Sequence, residues 1–177
     1  MNKTLALLCL LSIPSAATAD NLKIGLADLT QKGKRQLPEI PDLTKDGKKN
    51  DRHDWNLGPT GARGWMWGMS LRTDFARQIL ITKVEKNSPA DGVLKVDDVI
   101  LGIGNKKFES DARIAFGNAI TEAEKKENRG ELKLLCWREG KTKTVSLKLK
   151  VMGTYSELSP TRCEKSARIM QDACLHI

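Results

Sequence analysis

Three stretches of the 177-residue chain predict an α+β fold that is mainly β. In residues 79–108, two β-branched apolar runs, Ile79 to Val84 and Val99 to Ile103, flank the turn formers Asn87-Ser88-Pro89-Ala90 and Gly92. That order reads as strand, tight helical turn, strand. Residues 132–151 alternate apolar and polar side chains on either side of Arg138-Glu139-Gly140-Lys141, which reads as a hairpin. Between these stretches, Ala112, Ala115, Phe116, Ala119, Ile120 and Ala123 recur at helical spacing, so a helix is predicted from Ser110 to about Lys126.

The chain opens with Lys3, an apolar run from Leu5 to Ile13 and the small residues Ala17-Thr18-Ala19. This is the layout of a secretory signal peptide over residues 1–19, and it predicts export to a periplasm or to the outside. The apolar run is too short to serve as a stable membrane anchor. Cys9 lies inside the run, behind Leu7-Leu8, where a lipidation signal does not place it. Loss of Lys3 with the leader leaves 29 basic and 22 acidic side chains, a net charge of +7. The short basic clusters Lys32-Gly33-Lys34-Arg35 and Lys45 to Lys49 lack interleaved aromatics, which argues against a nucleic-acid partner and for a solvated basic surface. Residues 20–52, polar and broken by Gly33, Pro38, Pro41 and Gly47, read as a linker with no fold of its own.

From His53 the composition changes, and three of the four tryptophans, Trp55, Trp65 and Trp67, arrive within fifteen residues. A folded domain is predicted over residues 53–152. Ser88 suits a helix N-cap, Pro89 the first turn after it, and Gly92 the left-handed position that ends it. The ordered set Val84, Ser88-Pro89-Ala90, Gly92, Leu94, Asp98, Ile100, Ile103 and Gly104 resembles a PDZ domain of the bacterial envelope type, over about residues 56–152. The resemblance implies a partly open β-sandwich of five to six strands capped by two helices, built to bind a peptide or a protein C-terminus.

It also places the site. In that family a glycine-containing loop before the second strand receives the peptide carboxylate on its backbone N–H groups, and Ala62-Arg63-Gly64-Trp65 holds that place here. Arg63 either pairs with the carboxylate or points to solvent. Trp65-Met66-Trp67 would offer an open edge for strand addition, with Trp65 and Trp67 on one face and Met66 on the other. Ala112 and Phe116, on the predicted helix, would shape the pocket for the last ligand side chain. For the tryptophans, as for Ala112 and Phe116, the competing reading is core.

After residue 152 a tail, residues 153–177, carries helical spacing at Ala167, Met170 and Cys174. Cys163 and Cys174 are the candidate disulfide, with reduced thiols as the alternative. Cys136, on an alternating strand, reads as a small buried hydrophobe. The tail resembles the opening of a further region, as in exported bacterial proteins where a similar PDZ module precedes a long helical domain.

Catalysis has little to draw on. The chain has two histidines, His53 and His176, without a Ser-His-Asp order or a Gly-x-Ser-x-Gly elbow. Gly102-x-Gly104 lacks the third glycine of a dinucleotide loop, and Cys163, Cys174 and His176 lack a zinc spacing. The expectation is a non-catalytic, exported module without metal or cofactor that binds a peptide by strand addition. The alternatives are a docking platform whose groove is filled by the chain's own tail or by a further C-terminal domain, and a regulatory module of an envelope protease.

Overall fold

The structure, a computed structural model, describes residues 40–45, 54–68 and 72–174. The leader expected at residues 1–19, most of the expected linker, and both histidines lie outside the described residues. Among the described residues, seven antiparallel strands form one sheet: β1 (Trp55–Asn56), β2 (Ala62–Trp65), β3 (Ile79–Val84), β4 (Val99–Ile103), β5 (Lys106–Lys107), β6 (Glu131–Arg138) and β7 (Lys141–Lys148). Their spatial order is β1-β2-β3-β4-β6-β7, with β5 paired to β4. Helix α1 spans Ala112–Ala123 and helix α2 spans Glu164–Cys174. The fold is α+β and mainly β. The strands beyond the five or six expected are two-residue pairs, too short to show alternation in a sequence.

The runs that predict β3 and β4 are strands because their β-branched residues are buried on a sheet: Ile79, Ile81, Val99 and Ile100 are fully buried. Between them, a chain of turns replaces a full helix. Asp91 N–H bonds to the Ser88 carbonyl and Leu94 N–H to that of Ala90, and Gly92, with φ of +74°, ends the turn. Ser88 does not cap it; its hydroxyl donates to the Glu85 carbonyl at 2.7 Å. The β6–β7 hairpin closes at Glu139-Gly140, both with positive φ, and pairs Leu132 with Leu147 and Leu134 with Val145.

Helix α1 begins at Asp111, whose carboxylate accepts from the Arg113 N–H at 2.9 Å and, through its other oxygen, from the Thr73 hydroxyl at 2.8 Å. Its Ala112, Phe116, Ile120 and Ala123 are buried with Ile79, Ile81, Ile100, Leu132, Leu134 and Leu147, which puts the main core between α1 and the sheet. Asp98, buried beneath the β3–β4 turn, accepts two bonds from the Arg138 guanidinium, at 2.6 and 2.5 Å, and one from the Lys95 N–H. Burial disfavours its charge, but these donors outweigh that and hold its carboxyl below the ordinary range.

A second cluster, of Leu43, Trp65, Val99 and Leu101 with Trp67, Leu80, Leu135 and Trp137 at its margin, is separate from the main core. Leu43 comes from the stretch expected to be unstructured linker. It is buried because Gln78 fixes the backbone around it: Gln78 accepts from the Leu43 N–H at 2.6 Å and donates to the Asp42 carboxylate at 2.9 Å. Bonds from Gln78 and Thr44 lower the Asp42 pKa to about 2.

The tail returns to the end of α1. Met152 and Gly153 N–H groups both donate to the Glu124 carbonyl at 3.0 Å. Helix α2 is tied down by ion pairs of Lys126 with Glu164, Lys165 with Glu124 and Lys150 with Asp172, and none of its residues is buried. Cys163 and Cys174 are free thiols, as is Cys136. The pair expected from the sequence does not form. Cys163 precedes the 11-residue helix and Cys174 ends it; that is about 16 Å of helical rise, whereas a disulfide needs Cα atoms within about 7 Å.

Candidate functional site

The loop before β2 is a short 3₁₀ turn, Gly58–Thr60, and its polar groups are turned inward. The buried Thr60 hydroxyl donates to the Leu57 carbonyl at 3.0 Å and accepts from the Ala62 N–H at 3.2 Å. Leu57 N–H bonds to the Ala62 carbonyl, Gly61 N–H to the Gly58 carbonyl and Gly58 N–H to the Asn56 side chain. Gly61 is required here: its φ is +71°, and a Cβ would come within 2.2 Å of the Ser88 Cβ.

Ala62-Arg63-Gly64-Trp65, expected from the sequence to be a loop that receives a peptide carboxylate, is strand β2. On one side β2 pairs with β3, Ala62 opposite Val84 and Trp65 opposite Leu80, with a bulge between Arg63 and Gly64. On its other side lies β1, with Trp55 opposite Gly64 and Asn56 opposite Arg63; the edge expected at Trp65-Met66-Trp67 lies past this register, and of those three residues only Trp65 belongs to β2. The two strands are the arms of one hairpin around the turn at 58–60.

Side chains hold β1 more than its two residues of ladder do. Arg63 Nε and NH2 reach Asp54 Oδ1 at 3.0 and 2.6 Å, NH2 also reaches the Asp54 carbonyl at 3.2 Å, and the Thr82 hydroxyl donates to Asp54 Oδ2 at 2.8 Å. The paired carboxylate pushes the Arg63 pKa further up. The Arg113 guanidinium, in the first turn of α1, lies over the Trp55 ring, 4.6 Å from its centroid. Leu57 is buried in the main core, with Ile120 close to the adjoining turn. Gly64 makes this fit: a Cβ there would stand 2.5 Å from Ile79 Cγ2 and 3.1 Å from Leu57 Cδ1.

The other expected site residues fall on both sides of this edge. Ala62, Met66, Ala112 and Phe116 meet in the main core, all buried, while Trp65 and Trp67 join the second cluster, as their alternation with Met66 predicts. Ala112 and Phe116, expected to shape a ligand pocket, are buried in the core. The residues missed from the sequence are Asp54, Trp55, Leu57 and Arg113. Their one signal is that Trp55 and Leu57 alternate with polar neighbours, over too few residues to stand out.

The edge of an antiparallel sheet is an architecture that takes extended peptides as an added strand. Residues 59–136 match the family model of the PDZ domain. That stretch is similar to a PDZ domain. The match opens within the turn that precedes β2 and closes at Cys136 in β6, so β1 and β7 lie outside the matched residues. The comparison with curated proteins found no match to the chain. A PDZ domain is, in general, a peptide-binding module that receives peptides or C-termini as an added strand, and such domains are typically non-catalytic.

Proposed function

We propose that this chain is an exported, non-catalytic PDZ module, of the bacterial envelope type, that receives an extended peptide or protein C-terminus on the outer edge of β2 with α1 as the facing wall. The observation that carries the reading is that this edge already accepts an antiparallel segment, Trp55–Asn56, in the way it would accept a ligand. Main-chain bonds to the outward-facing groups of Gly64 supply affinity, and side-chain contacts with Arg63 and the start of α1 supply preference. Ala112 and Phe116 act from beneath as the floor of the groove. Export, to the periplasm or outside the cell, is supported by the leader pattern in the sequence of residues 1–19. On this reading residues 53–152 are the working unit, and residues 153–177 are a tail bearing α2.

A second reading is favoured by the same strand: β1 covers the edge, so the domain can serve as a docking platform with its groove filled from within the chain. Titration of the mature protein with peptides bearing free and amidated C-termini, followed by backbone amide shifts, separates the two. Binding that moves the Arg63 and Gly64 amides supports peptide recognition; binding that leaves both amides and α1 unmoved, or none at all, would sink it.

A further inference from the structure

We infer that Asp54-Trp55-Asn56 is a resident ligand of the β2 edge, and that the partner recognised there is an extended segment carrying an acidic residue next to an aromatic one, which enters by displacing it. The inference rests on the peptide-recognition reading above and adds the identity of the occupant and the chemistry of its replacement.

The geometry supports each part. The segment runs antiparallel to β2 as the outermost strand of the sheet, in the direction and place of an added strand. Alternation turns Trp55 and Leu57 toward the main core and leaves Asp54 and Asn56 on the other side. Two cations are thereby matched, one by charge and one by a ring face: Arg63 binds the Asp54 carboxylate through two nitrogens, and Arg113 stacks on Trp55. A planar guanidinium held beside a strand edge selects a carboxylate, and a second one on the helix selects an aromatic face. Among the described residues, two residue pairs join β1 to β2, and both the Arg63 and Asp54 side chains remain about a third exposed, at 38% and 29%. The hold is therefore weak enough to exchange. Leu57 is different: it is buried in the core and stays when the three residues before it leave.

The test uses the full mature chain, its Trp55→Ala and Asp54→Asn variants, and a fluorescent peptide copying residues 51–57, read by polarisation. Both variants should bind the peptide at least tenfold more tightly than the unaltered chain, and binding should vanish when the peptide's own tryptophan and its adjoining acid are replaced by alanine and asparagine. Equal affinity for all three chains overturns the inference, as does no uptake by variants that keep their thermal transition. So does binding indifferent to the peptide's acid and tryptophan. A variant that fails to fold also overturns it, because a strand needed for folding is no exchangeable ligand. Concentration-dependent dimers of the unaltered chain would give the edge to a second copy instead, and again the inference falls. In any of these cases, binding of free C-terminal peptides to the Arg63 and Gly64 amides preserves the peptide-recognition reading, whereas its absence removes both.

Discussion

Arg63 illustrates how far single residues can be read. Its type, a guanidinium beside a glycine at the start of a tryptophan-rich strand, allows either a carboxylate partner or solvent; it pairs with Asp54, nine positions upstream, just before β1. Nothing in the spacing announces that pairing, because only the turn at 58–60 brings the two arms together. Phe116 is a clearer case. A pocket wall and a core residue have the same sequence, and only burial distinguishes them. Phe116 is 3% exposed among Ile79, Ile100 and Leu134, so Phe116→Ala should cost about 3–5 kcal/mol in chemical denaturation; a loss under about 1 kcal/mol would return it to the groove surface. The thiols divide in the same manner. Burial pushes Cys136 up to about 11, whereas the Ser166 hydroxyl and N–H draw Cys163 down to about 7. In the native protein at pH 8, mass spectrometry after brief alkylation should find the exposed Cys174 and then Cys163 labelled, with Cys136 intact until unfolding. Early labelling of Cys136 would show that β6 is not closed.

Among the elements, α1 was the most legible, because twelve residues with one apolar face leave little choice of orientation. Strands β3, β4, β6 and β7 follow for a similar reason, since runs of five to eight residues are long enough for a pattern. Strand β1 has two residues and no pattern at all, and Leu43 is one apolar side chain in a polar stretch. Both were hidden because long-range partners, not local periodicity, hold them. For Leu43 that partner is the Gln78 side chain, with Asp42 completing the contact. The folded-state pKa of Asp42, about 2, lies below its ordinary 3.8. Its contribution is therefore complete above about pH 4 and fades as pH falls through 2. Trp65 and Trp67 sit in the cluster that Leu43 closes, so tryptophan emission should shift to the red across that interval, and Asp42→Asn should flatten the change. An unaltered titration in the variant would assign it to another carboxylate.

For the molecule as a whole, the sheet has a firm centre and unequal margins. Strands β3, β4 and β6 carry fully buried residues and pair on both sides, whereas β1 and β7 are the outer strands. Strand β7 presents Lys141, Lys143 and Lys148 in exposed positions, and such charges discourage another chain from pairing with it. Strand β1 leaves Trp55 and Asn56 partly or fully open. Hydrogen exchange should therefore open β1 well before β3, β4 and β6. If residues 54–57 exchange together with the central strands, β1 belongs to the same cooperative unit as the core.

The hairpin also gives the edge a mechanical character. The upstream end of β1 and the downstream end of β2 lie at the same mouth of the hairpin. A pull applied immediately before Asp54, downstream of the Leu43 anchor and with the domain held, would load the Arg63–Asp54 bonds first and then the Trp55–Gly64 and Asn56–Arg63 pairs in turn. Such a peel proceeds bond by bond and needs little force, whereas sliding the strands past one another would load every bond at once. Tension applied immediately before Asp54 would thus uncover the outer edge of β2 before it loads the buried strands of the centre.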